Sequence, residues 1–190
     1  MRAALFNFLR HKTLRRLLRV LEHALAAVGA LFIVYHVAFD LSVMTSGSMS
    51  PTLKGEGREG SDYILTEKVS YWFRGPRRWE IVTFLSEEGE RRTKRVVGLP
   101  GETVSLTSDG LVVSGASVAF PKPLAFLQYY PYGNLHRGAS APCGDGYYVL
   151  GDDSRDSDDS RYNGPVARDA IIGRTWLRAW PPARFGSVNP

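Results

Sequence analysis

Two short stretches of the chain carry residue types suited to nucleophilic catalysis. Residues 46–53 read SGSMSPTL, a serine-rich turn in which Gly47 and Pro51 allow a tight, fixed backbone. Residues 92–101 read RTKRVVGLPG, a strand-like run that contains Lys94. A serine hydroxyl is a weak nucleophile until a base removes its proton, and an uncharged lysine amine can be that base. Ser48 and Lys94 are therefore candidates for a nucleophile and its general base.

The lysine can do this only if its pKa is lowered. Its reference pKa is about 10.4, so near neutral pH an exposed lysine is charged and has no lone pair to accept a proton. Burial in apolar surroundings disfavours the charged form and lowers the pKa by up to several units. Spacing alone leaves two interpretations open. Lys94 is either a buried base or one more surface cation in the run RRTKR (residues 91–95), and Ser48 is either a nucleophile or part of a linker.

Other catalytic arrangements lack the necessary residues. Of the four histidines, His11, His23 and His36 lie in or beside the apolar N-terminal segment, which leaves only His136 for a Ser-His-Asp triad or a pair with Cys143. His136 sits in a Pro- and Gly-rich loop without suitable neighbours. A zinc site needs three or four His, Cys or carboxylate ligands, which the body of the chain does not group together. With one cysteine, an intrachain disulfide is impossible.

An acidic loop, residues 151–161 with the sequence GDDSRDSDDSR, invites a calcium interpretation. Asp152, Ser154 and Asp156 match the first three ligand positions of an EF-hand loop. The glycine that such a loop requires is replaced by Ser157, and its closing glutamate by Asn163. We therefore expect neither a metal nor any other cofactor, and the loop is free to brace the two candidate residues.

An apolar segment precedes the part of the chain that contains these candidate residues. Residues 24–39 contain no Asp, Glu, Lys or Arg, and with apolar flanks the segment 20–44 is long enough to span a bilayer. A signal peptide cleaved from the chain is disfavoured because no clear small-residue cleavage site follows. A buried core helix and a mitochondrial targeting segment remain alternatives. The prediction is a single transmembrane anchor at 20–44, after an arm at 1–19 that the positive-inside rule places in the cytoplasm.

The basic charge of the chain is confined to that arm. The formal net charge is +5, and the first 22 residues account for it with six basic side chains and one acidic one, whereas the remainder is neutral. A basic arm beside a membrane span is not a groove-binding face, so nucleic acid is excluded as a partner.

The remainder, residues 45–190, is β-rich. Strands are predicted at residues 63–65, 80–85, 92–97, 104–106, 111–113, 147–150 and 171–180, and no long helix is evident after the anchor. Asp109-Gly110 is a hairpin signal, whereas residues 120–146 are loop-like. The aromatic run at 71–73 either rests on lipid headgroups or is core. The fold class is therefore mostly β, an antiparallel β-sheet domain behind one N-terminal transmembrane helix.

Taken together and in order, the motifs at 46–53, 94–101 and 151–164 resemble those of the type I signal peptidases, which are membrane-anchored Ser/Lys proteases. The resemblance covers residues 20–180. It implies an endopeptidase that removes signal peptides from presecretory proteins at the outer face of the cytoplasmic membrane, with the lipid bilayer as its second partner. Residues 104–146 would then be a reduced accessory region of hairpin and loop.

The resemblance also implies a role for each matched residue. Ser48 would be the acylating nucleophile and Lys94 the base. Ser46 would be a side-chain donor of the oxyanion hole, and Ser157 the hydroxyl that orients the Lys94 amine. Asp159 and Arg161 would form a structural ion pair. Asp153 departs from the usual Asn, and Trp79-Glu80 from the common Gly-Asp, but neither change touches the dyad.

Four alternatives to a general signal peptidase come into consideration, and all but the third stay open. Two are specialised relatives, one that processes a pilus or conjugation protein and one that works in the mitochondrial inner membrane. The third, a self-cleaving repressor with Ser/Lys chemistry, requires a DNA-binding N-terminal domain, for which the arm is too short and too apolar. The fourth is a membrane-tethered β-domain that binds peptides and has lost catalysis.

Overall fold

The computed structural model describes residues 2–55, 60–108 and 110–190, with side chains from residue 14 onward. The chain divides into two compact units, one up to Ala38 and one from Phe39 onward. The first unit is a single helix, α1 (Arg2–Ala38). Its part from Leu14 to Ala38 is long and apolar enough to cross a membrane. At 1.5 Å per residue these 25 residues extend about 37 Å, which exceeds the hydrocarbon core of a bilayer.

The helical part of the predicted segment 20–44 ends earlier than the sequence suggested. Residues Phe39–Val43 form the first strand, β1, and pair in register with the strand at Tyr63–Glu67. The run Phe39–Val43 is apolar at every second position, and alternation of this kind fits a half-exposed strand better than a helix. The body therefore begins at Phe39, and the candidate span begins further upstream, at Leu14.

In the described part of the body, the larger sheet has seven antiparallel strands. They are β1 (Phe39–Val43), β2 (Tyr63–Glu67), β3 (Ile81–Leu85), β4 (Arg91–Gly98), β9 (Tyr148–Leu150), β10 (Ile171–Trp180) and β11 (Gly186–Ser187). The strand order is β1-β2-β10-β3-β4-β9, with β11 paired to the second half of β10. β1 is thus an edge strand, and β4 lies near the other edge.

A second antiparallel sheet is formed by β5 (Thr103–Thr107), β6 (Gly110–Val113), β7 (Ala116–Ser117) and β8 (Ser140–Pro142). This sheet and the loops around it occupy the predicted reduced region 104–146. Val97 and Tyr148 of the larger sheet pack with Val104, Leu111 and other residues of this region in one buried cluster. Cys143 is fully buried in the same cluster.

The predicted fold class is confirmed, and every predicted strand is present. The β5–β6 hairpin is formed as well, although Asp109 of its turn signal lies outside the described residues. Among residues 39–55, 60–108 and 110–190, the two α-helices are α2 (Ser70–Phe73) and α3 (Ser160–Asn163), each four residues long. In the aromatic run 71–73, Tyr71 is buried in the core, whereas Trp72 and Phe73 are exposed.

Four buried threonines link four neighbouring strands through their hydroxyl groups. The Oγ1 atom of Thr83 on β3 lies 3.1 Å from that of Thr66 on β2, 3.1 Å from that of Thr93 on β4 and 2.9 Å from that of Thr175 on β10. Thr83 is thus the centre of a polar cluster inside the sheet. Thr93 directly precedes Lys94, so the cluster fixes the position of β4 beside the candidate base.

Candidate active site

Ser48 lies in a 3₁₀ turn, Gly47–Met49, that follows β1. The neighbours Met49 and Leu53 are completely buried, in a cluster with Met44, which directly follows β1, and with Ile64 and Ile81 of the larger sheet. These two apolar side chains anchor the turn to the larger sheet. Ser48 itself is not part of this apolar cluster. Residues 46–53 are therefore part of the folded body and are not a linker.

Lys94 lies on β4 opposite Val82 of β3, and it is only 4% exposed. Its Nζ atom lies 2.7 Å from Oγ of Ser48, a contact between residues 46 positions apart in the chain. When the amine is uncharged, this distance lets the serine hydroxyl donate its proton to the nitrogen. The fold thus brings together the two residues that the sequence singled out.

The environment of Lys94 favours the uncharged amine. Burial lowers the pKa of Lys94 to about 8, against a smaller opposing effect of the nearby carboxylates Asp159 and Asp158. Arg92 and Arg161 act in the same direction as burial. At mildly alkaline pH, around 8 and above, a substantial fraction of the amine therefore holds a free lone pair.

Ser46 lies beside the nucleophile. Its Oγ atom is 3.2 Å from Oγ of Ser48, and either hydroxyl can be the donor. A hydroxyl at this distance can swing toward a negative oxygen that develops next to Ser48. The geometry is compatible with the oxyanion role predicted for Ser46, and that role stays a prediction.

Asp159 and Arg161 form a fully buried, two-pronged ion pair. Arg161 donates from Nε and Nη2 to the two carboxylate oxygens of Asp159, at 2.9 and 2.8 Å. Asp159 also accepts the backbone N–H of Gly151 and caps the start of α3. Arg161 in addition donates to the carbonyl of Ser154 at 2.8 Å. The pair therefore holds both ends of the acidic loop.

Ser157 is half-buried, but its hydroxyl oxygen is buried and among the described residues has no hydrogen-bond partner. Its hydroxyl lies against Gly151, at a point where an added Cβ atom would also meet the carbonyl oxygen of Ser48. The predicted contact between the Ser157 hydroxyl and the Lys94 amine is not formed here, so its orienting role stays a prediction. The loop itself is fixed to the nucleophile by the N–H of Asp153, which donates to the carbonyl of Ser48 at 3.0 Å.

A second buried ion pair was not anticipated from the sequence. Arg95, the neighbour of Lys94, donates from Nε and Nη2 to Asp152 at 2.8 and 2.6 Å, and both side chains are completely buried. Thr52 donates its hydroxyl to the same carboxylate. Arg95 and Asp152 both belong to the quoted motifs. The sequence did offer one signal for this ion pair, namely an arginine within a predicted strand, next to the position proposed as a buried lysine.

Two arginines near the C-terminal part of the chain hold the nucleophile loop from another side. Arg178 donates to the carbonyl of Thr52 at 2.8 Å, and Arg184 donates to the carbonyls of Pro51 and Thr52 at 3.3 Å each. Arg184 is itself paired with the buried Asp62 at 3.0 Å. Nothing in the sequence pattern indicated these contacts, since they join positions more than 120 residues apart.

The dyad opens into a cleft of about 380 Å³. One wall follows the end of β1 and the other follows β4. The lining residues are Ser42, Val43, Met44, Thr45, Ser46, Ser48, Ile64, Thr83, Glu90, Arg91, Arg92, Thr93, Lys94, Asp156 and Asp158. Apolar side chains thus meet a charged rim, and an extended peptide could enter between the two walls.

Of the residues set aside in the sequence, His136 is exposed and its Nδ1 atom lies 3.2 Å from the carbonyl of Gly133. Cys143 is buried in the core of the smaller sheet. Neither residue lines the cleft that contains the dyad. The arrangement therefore offers serine and lysine, and not histidine or cysteine, for nucleophilic chemistry.

The contact around Gly151 yields a prediction. A Cβ atom at this position would lie 2.5 Å from the carbonyl oxygen of Ser48 and closer still to Oγ of Ser157, and real Cβ atoms are not found at such distances. We expect Gly151→Ala to push the nucleophile turn away from Lys94 and to lower kcat by about a hundredfold or more, since small displacements of reacting groups have effects of this size. Steady-state kinetics with a peptide substrate measures this. Gly29→Ala is the control, because a Cβ there has no neighbour within 4 Å. An unchanged kcat for Gly151→Ala would contradict the prediction.

Comparison with known proteins agrees with this geometry. Residues 17–180 match the family model described as signal peptidase, peptidase S26. A signal peptidase I of Leptolyngbya laminosa is 37% identical over 175 residues, covering 87% of this chain and 80% of that protein. A probable signal peptidase I-2 of Synechocystis is 35% identical over 151 residues, covering 76% and 64%. Mitochondrial inner membrane protease subunit 1 of mouse is 31% identical over 162 residues, covering 82% and 81%. The chain therefore belongs to the signal peptidase family, peptidase S26.

Proposed function

We propose that this chain is a membrane-anchored serine endopeptidase that removes signal peptides from exported preproteins, with Ser48 as nucleophile and Lys94 as general base. The observation that carries the proposal is the 2.7 Å contact between Nζ of the buried Lys94 and Oγ of Ser48. Burial makes the amine a base at accessible pH, and the contact gives it a single proton to accept. A peptide-binding domain without catalysis would not need this pairing.

In the acylation step, the Ser48 hydroxyl attacks the scissile carbonyl carbon while its proton passes to Nζ of Lys94. The carbonyl oxygen becomes an oxyanion, for which Ser46 and the backbone N–H of Ser48 are the proposed donors. A donor of this kind typically contributes about 3 kcal/mol. As the tetrahedral intermediate collapses, the C–N bond breaks and the Lys94 ammonium returns its proton to the leaving amine. The signal peptide is then held as an ester on Ser48.

Deacylation repeats the same steps with water. Lys94, again uncharged, accepts a proton from a water molecule as the water oxygen attacks the ester carbonyl. The proton then passes to the Ser48 oxygen as the ester bond breaks, and the free carboxylate of the signal peptide leaves. One base thus serves both halves of the reaction, which requires that Lys94 hold its position throughout. The Arg95–Asp152 and Arg161–Asp159 ion pairs on either side of it provide that rigidity.

The substrate would bind as an extended strand in the cleft, beside the backbone of β1 and β4. Peptides that add a strand to a sheet gain affinity from main-chain hydrogen bonds and selectivity from alternate side-chain pockets. The apolar residues Val43, Met44 and Ile64 on the wall of the cleft suit small apolar side chains. The substrate class, a presecretory protein with a small residue at its cleavage site, follows from the family.

The proposed location is the cytoplasmic membrane, with Leu14–Ala38 as a single span. Six basic residues precede the charge-free run 24–39, and three of them, Arg15, Arg16 and Arg19, lie at the N-terminal end of the span. The positive-inside rule then places the N-terminal arm in the cytoplasm and the body outside. This orientation brings the cleft to the side on which exported proteins emerge. The mitochondrial relative supports a second location, the inner mitochondrial membrane, for the same chemistry.

The direct test is cleavage of a preprotein by the purified full chain in lipid vesicles. We expect one cut after the signal peptide, which the mass of the mature product and its N-terminal sequence will locate. A preprotein with a bulky charged residue in place of the small residue before the cut is the control, and it should not be processed. Failure to cleave any preprotein under conditions that keep the chain folded would overturn the proposal.

The pKa of Lys94 predicts the pH dependence of the reaction. The base must be uncharged, and burial lowers its pKa to about 8. The value of kcat/KM should therefore rise about tenfold per pH unit on the acidic side and level off above pH 8. A pH profile of peptide cleavage between pH 5 and pH 10 measures this. A rate that rises only near pH 10, where an exposed lysine loses its proton, would show that the amine is not buried during catalysis.

A further inference from the structure

Two strand edges of the larger sheet face each other across the cleft. β1 ends the sheet on one side, because among the described residues it pairs with β2 alone. β4 pairs with β9 only from Arg95 onward, so its first half, Arg91–Lys94, has no strand on that side within the described part of the chain. Residues of both edges line the cleft. An extended peptide adds to a sheet at edges of this kind.

The two edges run in the same direction and are joined at two points. Successive strands in the order β1-β2-β10-β3-β4 are antiparallel, so β1 and β4 are parallel to each other. At one end of the cleft, the contact between Lys94 and Ser48 joins the two sides. At the start of both strands, Arg91 of β4 donates from Nη1 to both carboxylate oxygens of Asp40 on β1, at 2.8 Å each. This ion pair therefore connects the two walls at the end of the cleft that is remote from the dyad.

The pair lies a few residues of extended peptide from the dyad. Arg91 precedes Lys94 by three residues, and Asp40 precedes Ser46 by six. At about 3.3 Å per residue these separations are about 10 Å along β4 and about 20 Å along the other wall. In the proposed function the residues before the cut lie between these walls. A peptide strand there would reach the ion pair between about the third and the sixth residue before the cut.

The exposure of the pair distinguishes it from the other ion pairs of the site. The side chain of Asp40 is 15% exposed and that of Arg91 is 53% exposed, whereas the two ion pairs beside Lys94 are completely buried. Separating a buried pair leaves an uncompensated charge in the interior, but an exposed pair contributes little to stability. The pair that connects the walls can therefore open without unfolding the body, and Arg91 is the partner with room to move.

We propose that the Asp40–Arg91 ion pair is a strap across the substrate cleft, which opens when Arg91 swings away from Asp40 as the signal peptide enters. The inference rests on the proposed function and adds a specificity-determining pair of residues to it. Opening the strap gives the peptide access to both strand edges along their whole length. A substrate long enough to reach the strap must open it, whereas a substrate that ends before the strap does not.

A covalent bridge in place of the ion pair tests this. The full chain carries Asp40→Cys and Arg91→Cys, and a short bismaleimide joins the two thiols, while Cys143 is completely buried. Two peptides with the same cleavage site are compared, one with about ten residues before the cut and one with only two. We expect the bridge to lower kcat/KM for the long peptide about tenfold or more relative to kcat/KM for the short peptide, because only the long peptide has to pass the strap.

The matched control is the same double variant treated with N-ethylmaleimide, which alkylates both thiols without joining them. It should cleave the long peptide about ten times faster than the bridged protein, or more, because its strap is open. Equal cleavage of the long peptide by bridged and unbridged protein would overturn the strap. An equal loss for both peptides would show that the pair positions the dyad, and it would overturn the strap as well. If the unsubstituted chain cleaves neither peptide, the proposed function itself fails, and the inference fails with it.

Arg91→Gln gives a second readout that needs no bridge. This variant removes the charge that closes the strap and keeps a polar side chain. We expect KM for the long peptide to fall about two- to fivefold relative to KM for the short peptide, the range that the loss of an exposed ion pair predicts. A rise of KM for the long peptide would show that Arg91 binds the substrate directly, and would overturn its role in the strap.

Discussion

Ser48→Ala and Lys94→Met should each lower the rate of preprotein cleavage by about four to six orders of magnitude, to a level near the uncatalysed background. Ser48→Ala removes the attacking oxygen. Lys94→Met retains a buried unbranched side chain of similar length and removes only the base. Losses of this size are typical when either member of a nucleophile–base pair is deleted. The measurement is single-turnover cleavage in vesicles, with thermal unfolding to show that each variant is folded.

The double variant sharpens this test. Residues that act as one unit are not additive, so Ser48→Ala combined with Lys94→Met should be no slower than either single variant. His136→Ala is the control, because His136 is exposed and lies outside the cleft, and its rate should be unchanged. Cleavage that survives either single change, or that disappears with His136→Ala, would rule out the Ser/Lys mechanism.

The second large effect concerns the buried ion pair. Asp159→Ala leaves the guanidinium of Arg161 buried without its carboxylate, and it also deprives the N–H of Gly151 and the start of α3 of their acceptor. Removing one partner of a buried ion pair typically costs about 3–5 kcal/mol, because the remaining charge is uncompensated. We expect the free energy of unfolding to fall by that amount in urea denaturation, and cleavage to fall with it.

A matched double variant separates charge from packing. In Asp159→Leu combined with Arg161→Met no unpaired charge remains, and apolar replacement of a whole buried pair is often tolerated. The double variant should therefore be more stable than Asp159→Ala. Arg155→Ala, which removes an exposed arginine nearby, should leave stability almost unchanged. A double variant less stable than Asp159→Ala would show that the hydrogen bonds of the pair matter more than its charge balance.

Most of the fold could be predicted because its signals are local. Short runs rich in β-branched and aromatic residues marked β3 and β10, the run before Gly98 and Pro100 marked β4, and the charge-free run marked α1. The boundary near Phe39 was harder, because apolar residues continue across it and only pairing with β2 turns them into a strand. α2 was equally hard to recognise, since a four-residue helix is too short to show a period.

In the site, too, the features with a local sequence signal were predicted, and those that depend on distant contacts were not. Ser48 and Lys94 were predicted because a motif and a chemical need coincide there. The contacts that fix them were not predicted, because Arg178 and Arg184 reach the carbonyls of Pro51 and Thr52 across more than 120 residues of chain. A backbone carbonyl as acceptor leaves no mark on the sequence. The burial of Arg95 against Asp152 likewise depends on tertiary packing, which opposes the usual exposure of arginine.

The threonine cluster centred on Thr83 has a consequence for how this family can diverge. One hydroxyl has one proton and two lone pairs, so Thr83 with its three neighbours Thr66, Thr93 and Thr175 has no capacity to spare. A valine at position 83 would remove the partner that the other three hydroxyl groups share inside the sheet, whereas apolar residues at all four positions would leave no polar group unpaired. Aligned homologues should therefore show an aliphatic residue at position 83 together with aliphatic residues at the other three positions, and sets with an aliphatic residue at position 83 alone should be depleted.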